Sequence, residues 1–236
     1  ILFGDYEGAV LTYVGRSFPD ESESARLARE EFHRTRDAGA ALRNFPLHLA
    51  YERSILHHLV TDPTGFREAL AVLPPKLLSM FVSAYQSYLF NSALSARCRE
   101  GTPLTTPVEG DVLVFSDGRT DRVTPRLLPA ARLQLERRRA CLGLFIPGSR
   151  PEDWKTASPK ACEILAERGI ASDNFRKASE FTGTAFQGFH RVIGLSTDIM
   201  SKIEGNDVHL GFTLLPGQYA TTVCREFMKT DPLTLI

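Results

Sequence analysis

One stretch of about 25 residues, beginning at a pair of prolines, predicts a helix longer than any other element of this chain. Pro74 and Pro75 stand at its start, where proline is tolerated because the N–H that it lacks has no partner in a first helical turn. The predicted helix runs from about Lys76 to Glu100. Apolar residues recur on it at steps of three and four: Leu77, Phe81, Tyr85, Tyr88 and Leu89. Core packing is the simplest interpretation of this stripe, and Gln86 and Asn91 fall outside it.

Shorter patterns predict helices before this one and strands towards the end of the chain. A helix capped by Asp20 is expected to run to about Leu42, and another is expected from about Leu47 to Val60. Strand-like runs occur at 112–115, 144–149, 191–196 and 208–214. The segment 219–229 fits either a strand or a helix. These patterns predict an α+β fold, with a mainly helical, mixed region of roughly 180 residues followed by a smaller strand-rich part.

The composition excludes several classes of protein. Lys and Arg together number 28, as do Asp and Glu, so the net charge of zero gives no overall sign of a nucleic-acid partner. No apolar run approaches the roughly 18 residues of a membrane span. The four cysteines are too dispersed for a disulfide framework or a zinc site: Cys98, Cys141, Cys162 and Cys224. We therefore expect a cytoplasmic protein with reduced thiols, without a metal and without a membrane.

The charge is unevenly distributed between residues 119 and 139. Seven arginines stand here against Asp121 and Glu136, a local net charge of +5: Arg119, Arg122, Arg126, Arg132, Arg137, Arg138 and Arg139. Such a stretch can follow a phosphate backbone by displacing its counterions. A solvated helix face with charge pairs four residues apart explains the same pattern, and the sequence leaves both interpretations open.

Two runs near opposite ends of the chain carry a family resemblance. The first, 81–97, contains Tyr85-Gln-Ser-Tyr-Leu-Phe-Asn91, and the second, 212–229, contains Tyr219-Ala-Thr-Thr-Val-Cys-Arg225-Glu226. They resemble the TruD family of tRNA pseudouridine synthases, in which (A/S)-Y-Q-S-Y-L-F-N and (Y/F)-A-T-x-x-x-R-E are recurrent. Segments 44–53 and 228–233 are also similar to the family, so the resemblance runs from about Asp5 to the last residue.

This resemblance implies a domain organisation and an activity. Residues 1–180 would form the helix-rich insertion domain of the family, and residues 181–236 the C-terminal portion of its mixed-sheet catalytic core. The activity would be isomerisation of a D-arm uridine of tRNA (position 13) to pseudouridine, by a monomer that needs no cofactor. The partner implied is tRNA.

The family's nucleophilic aspartate has no counterpart in this sequence. It lies in a G-T-K-D-like motif, followed by an N-x-F-G motif, and neither motif occurs here. The chain also begins at Ile1 without methionine and enters a helical pattern at once. We therefore expect the C-terminal part of a larger enzyme, inactive alone, whose partner is a missing N-terminal half with the aspartate upstream of Ile1. The alternative is a non-catalytic RNA-binding or interaction module.

The candidate binding residues follow from the resemblance and from the arginine stretch. A uridine extruded from a duplex needs an aromatic wall to replace its stacking, and Phe212 and Tyr219 are the candidates, although both also fit plain core positions. Arg225 and Glu226, matching the family's R-E, could balance the charge of the absent aspartate or form a surface ion pair. RNA contacts are expected at Arg137, Arg138 and Arg139. No catalytic residue is assigned within this chain, since no nucleophile motif such as G-x-S-x-G accompanies its histidines or cysteines.

Overall fold

The computed structural model describes residues 1–214 and 218–229. The helices in these ranges are α1 Tyr6–Gly15, α2 Glu23–Thr35, α3 Ala38–Asn44, α4 Ala50–Thr61, α5 Phe66–Ala71, α6 Pro75–Arg99, α7 Leu128–Glu136, α8 Pro159–Glu167, α9 Ser172–Thr182 and α10 Ala220–Met228. The strands are β1 Val112–Phe115, β2 Thr120–Arg122, β3 Ala140–Ile146, β4 Phe189–Val192, β5 Ile199–Glu204 and β6 Asp207–Phe212. The predicted α+β class is confirmed. None of the described helices combines the length and the apolar character that crossing a bilayer requires.

The long helix α6 joins three apolar clusters. Its first turn contributes Leu78 to the core of α1–α5, whose largest fully buried side chains include Phe32, Ile55 and Leu56. Val82 and Leu89 pack with α8 and α9 in a second cluster. Phe90, Ala93 and Ala96 pack on Leu144 and Ile146 of β3 in a third. The 25 residues of α6 span roughly 37 Å, so one helix reaches from the helical part to the sheet.

The larger sheet is antiparallel throughout, with strand order β2-β1-β3-β4. Its central strand β3 is buried along most of its length, between α6 and α7 on one face and Trp154 on the other. β4 is an edge strand that pairs with the end of β3. A second sheet contains only β5 and β6. The division of the chain at residue 180 into two domains stays a prediction.

The structure corrects the prediction for the second helix. Ser22, rather than Asp20, caps α2 by accepting a hydrogen bond from the N–H of Ala25 at 3.3 Å. The helix ends at Thr35, well before Leu42, because Arg36 adopts the left-handed conformation (φ 59°). A new helix, α3, then begins after Asp37. The chain therefore turns back on itself where one continuous helix was expected.

The buried face of α6 is also displaced from the predicted stripe. Leu89 is buried as predicted, but Tyr88 is 52% exposed. Gln86, predicted to lie outside the stripe, is only 7% exposed and donates a hydrogen bond to the carbonyl oxygen of Pro147 at 2.7 Å. Such a buried amide is tolerated because its donor is satisfied. Periodicity shows that α6 has an apolar side, but the surrounding elements decide where burial begins and ends.

The strand predictions are largely confirmed. β1 coincides with 112–115, and β6 lies within 208–214 apart from its first residue. The predicted strand at 191–196 begins earlier, as β4 Phe189–Val192. The segment 219–229, ambiguous by pattern but expected to be a helix from the family resemblance, forms helix α10. β5 was not predicted, because its sequence Ile-Met-Ser-Lys-Ile-Glu alternates only weakly.

Two arginines are buried and satisfied by carboxylates. Arg29 forms ion pairs with Glu21 and Glu52, both at 2.7 Å, and also donates to the carbonyl oxygen of Tyr13 at 2.7 Å. Arg97 forms a two-pronged pair with Asp111. Burying a charge costs free energy unless it is paired and hydrogen-bonded. Both groups therefore hold neighbouring segments in one arrangement.

Replacing Arg29 with Met should lower the free energy of unfolding by about 3–5 kcal/mol, because it leaves two carboxylates near the core without a counter-charge. The exposed Arg26, which pairs with Glu30 one turn away, is a matched control. Arg26→Met should cost under about 0.5 kcal/mol. Equilibrium urea denaturation of both variants measures the difference, and equal losses would contradict the assignment of Arg29 as a buried anchor.

Candidate functional site

The β5–β6 hairpin has one apolar face and one polar face. Directly paired residues of antiparallel strands share a face. The apolar face carries the pairs Ile199 with Phe212, Ser201 with Leu210, and Ile203 with Val208. It is largely open, since Ile203 is 74% exposed and Val208 60%. Two strands alone are marginally stable in water, so this face is suited to a covering layer.

The two predicted pocket-wall residues flank the connection from β6 to α10. Phe212 ends β6 and is half-buried on the apolar face of the hairpin. Tyr219 directly precedes α10 and is 66% exposed. The turn that the sequence Leu215-Pro-Gly217 predicts between them lies outside the described residues. Both rings are thus accessible to a molecule that approaches this end of the hairpin.

Arg225 and Glu226 are both exposed on α10, and Arg225 lies on the side opposite the buried Val223. Glu226 pairs with Lys229 at 2.6 Å, and this hydrogen bond holds the pKa of the Glu226 carboxyl below its usual value. Arg225 has no carboxylate within ion-pair distance among the residues that the structure describes. Glu226 therefore forms a plain surface ion pair, as the alternative has it, whereas Arg225 forms none in the described contacts and is exposed.

The three consecutive arginines form the turn between α7 and β3, here called the arginine turn (Arg137–Arg139). All three are exposed. Arg138 adopts the left-handed conformation (φ 53°), and the N–H of Arg139 donates to the carbonyl oxygen of Gln134 at 2.9 Å. None of the three has a carboxylate at ion-pair distance in the described ranges. The turn therefore presents three uncompensated charges to solvent.

The other arginines of the 119–139 stretch divide into two groups. Arg119 pairs with Asp117 at 2.7 Å, and Arg122 donates to the carbonyl oxygen of Ala157 at 2.8 Å. Arg126 and Arg132 are exposed. No pair four residues apart occurs here among the described side chains, so the alternative of a charge-paired helix face is not realised. In the described part of the chain, α7 packs on β3.

Sequence reasoning missed two further arginines, Arg168 and Arg191, which lie against aromatic rings of α6. The guanidinium of Arg168 lies 5.6 Å from the ring centroid of Tyr88, and that of Arg191 lies 5.2 Å from the ring centroid of Phe90. Each is isolated in the sequence, far from the arginine stretch. The only sequence signal at this surface is Tyr88 of the family run 81–97, and its exposure is known only from the structure.

A cleft of about 660 Å³ lies in the helical part, lined by side chains of α1, α2, α4 and α6. Burial, together with the nearby Glu52 carboxylate, raises the pKa of Tyr13 in this cleft to about 12, so its phenol stays neutral near pH 7. None of the predicted binding residues lines the cleft. It is therefore separate from the C-terminal hairpin and from the arginine turn.

Comparison with known proteins gives consistent matches. A family model described as tRNA pseudouridine synthase D (TruD) matches residues 1–227. A protein of Methanosarcina acetivorans named "Probable tRNA pseudouridine synthase D" is 33% identical over all of this chain and 56% of its own length. A protein of the same name from Natronomonas pharaonis is 37% identical over all of this chain and 55% of its own length.

A solved structure has the same fold. The crystal structure of the TruD protein from Methanosarcina mazei superposes with a TM-score of 0.84 and 31% identity, covering 98% of this chain and 56% of the other. The chain thus spans little more than half the length of the relatives that it matches. Since the family model extends over nearly the whole chain, this protein belongs to the tRNA pseudouridine synthase D (TruD) family.

Proposed function

We propose that this chain is part of an enzyme that isomerises uridine to pseudouridine in tRNA. The observation that carries the proposal is the TruD family match over residues 1–227, supported by the agreement with the Methanosarcina mazei structure. The substrate position follows the family's usual target, a D-arm uridine. A monomeric, cytoplasmic enzyme is part of the same proposal.

The reaction needs a carboxylate at the sugar and a pocket for the freed base. The bond from the sugar to N1 breaks, the uracil turns, and a new bond joins the sugar to C5. The proton of C5 is released and N1 gains one, so substrate and product are isomers and no electrons are gained or lost. The carboxylate would come from a G-T-K-D-like segment outside the 236 residues of this sequence.

The apolar face of the β5–β6 hairpin is the surface on which that outside segment would pack. Ile203 and Val208 are more than half exposed, and covering such side chains gains about 25 cal/mol for each Å² of apolar surface. Phe212 belongs to the same face. A core completed there would place the ring of Phe212 beside the pocket, with Tyr219 next to it and Arg225 available to keep the aspartate ionised.

The activity is tested by tritium release from tRNA labelled at C5 of its uridines, since this hydrogen leaves in the reaction. The isolated chain should release none, whereas the full-length protein that includes a G-T-K-D segment should release tritium. Replacing the aspartate of that segment with Asn should abolish release. Tritium release by the isolated chain would show that the nucleophile lies within these 236 residues.

The arginine turn should contact tRNA phosphates. Arg138→Gly removes one charge at a left-handed position, where glycine is favoured, so the free energy of unfolding should stay equal or rise by up to about 1 kcal/mol. The slope of log affinity against log salt should become shallower by about 0.7–0.9. Arg36→Gly is a matched control, because Arg36 is also exposed and also adopts the left-handed conformation, but lies at the end of α2. Equal slopes in both variants would contradict the contact.

Phe212→Leu should slow single-turnover pseudouridine formation by roughly 5- to 150-fold, because a stacking partner of the extruded base contributes about 1–3 kcal/mol. Leu keeps most of the apolar volume, so the melting temperature should change little. Phe115→Leu, on β1 of the other sheet, is the matched control and should leave the rate unchanged. A lower melting temperature with a normal rate would instead make Phe212 a core residue.

A further inference from the structure

Two guanidinium groups contact adjacent residues of α6. Arg191 of β4 donates to the hydroxyl of Ser87 at 3.4 Å. Arg168, which follows α8, lies over the ring of Tyr88, and its hydrogen bond to the phenol holds the pKa of Tyr88 below its usual value. Ser87 and Tyr88 point about 100° apart around the helix, so the two charges border the surface that lies between these side chains.

Neither charge is compensated by a carboxylate. Arg168 and Arg191 are both half-buried, yet neither has an acidic side chain at ion-pair distance among residues 1–214 and 218–229. The fully buried Arg29 and Arg97 differ, since carboxylates compensate each of them. Partial burial costs a cation some hydration. An external anion at this place would therefore recover electrostatic free energy without displacing a carboxylate of the described residues.

Open aromatic surface lies beside both guanidinium groups. Tyr88 is 52% exposed, and Phe189 on the edge strand β4 is 48% exposed. The guanidinium of Arg191 lies between the rings of Phe90 and Phe189, 5.2 and 6.0 Å from their centroids. A guanidinium stacked on a ring keeps its N–H edges free for an acceptor such as a phosphate oxygen.

The exposed side of α6 supplies polar groups between these two contacts. Ser87, Tyr88 and Asn91 are three and four residues apart, so they share one side of the helix. Asn91 is exposed and can offer both a donor and an acceptor to a base edge. We call this strip, with Arg168, Arg191 and Phe189 at its flanks, the α6 ridge.

We propose that the α6 ridge binds unpaired nucleotides of an RNA, with Arg168 and Arg191 on phosphates and a base stacked on Phe189. This inference rests on the proposed function, which supplies tRNA as the RNA. Exposed aromatic rings beside planar cations are the combination by which proteins hold single-stranded nucleic acid. An acidic protein segment would form ion pairs with the two arginines but would gain little from the exposed rings.

The test uses the full-length protein and unmodified tRNA, with binding measured over a range of salt concentrations. The double variant R168Q/R191Q should make the slope of log affinity against log salt shallower by about 1.4–1.8, since two phosphate contacts are lost. Phe189→Leu should weaken binding by roughly 5- to 150-fold and leave the slope unchanged. Arg176→Gln is the control, because Arg176 is an exposed arginine of α9 already paired with Asp173 and Glu180.

Two further measurements separate the outcomes: the melting temperature of each variant, and tritium release from tRNA by the wild type. The α6 ridge is supported if R176Q binds tRNA and melts like the wild type while the ridge variants show the two expected changes in binding. Unchanged binding in R168Q/R191Q with a lower melting temperature would overturn it and show that the two arginines stabilise the fold and do not contact RNA. If the wild type binds tRNA but forms no pseudouridine, the proposed function fails. The salt dependence of binding still decides whether the α6 ridge contacts RNA. If the wild type binds no tRNA, the proposed function and the α6 ridge proposal both fail.

Discussion

The continuous buried face of α6 is the constraint on which the rest of the described structure depends. Three apolar clusters share this one helix, and its 25 residues leave no break at which they could move independently. Gln86 adds a directional contact, because its side-chain amide reaches the carbonyl oxygen of Pro147 beyond the end of β3. A buried hydrogen bond of this kind fixes the rotation of the helix about its axis, which apolar contacts alone fix less strictly. That rotation decides which residues of the run 81–97 face solvent.

The arginines show how a chain of zero net charge can present cationic surface. Arg29 and Arg97 are buried and compensated by carboxylates, so they contribute to the arrangement of neighbouring segments and not to the external potential. The arginine turn is the opposite case, with three exposed charges that no described carboxylate compensates. Arg168 and Arg191 are intermediate, since aromatic rings take the place of carboxylates. Net charge therefore says little about partners here, because pairing in three dimensions decides which charges remain available.

The C-terminal hairpin and α10 differ from the rest in how they are covered. β3 and the apolar side of α6 are covered by their neighbours, whereas the hairpin keeps a row of apolar side chains open and α10 buries only Val223 in its described part. Apolar patches of this kind on soluble proteins usually mark an interaction surface. The proposed function gives this surface a partner, the segment that carries the nucleophilic aspartate.

The sequence by itself determined the α+β class, the long helix after Pro74 and Pro75, strands β1 and β6, and the family, because these depend on local periodicity and on contiguous motifs. It also located the three arginines of the arginine turn, although not the turn that they form or its left-handed backbone. Only the tertiary structure decided that Gln86 is buried while Tyr88 is exposed, since the faces of a helix are assigned by what packs on them. The tertiary structure also decided which arginines pair with carboxylates. Arg168 and Arg191 are 23 residues apart in the chain, and no local pattern can show that they meet adjacent residues of α6.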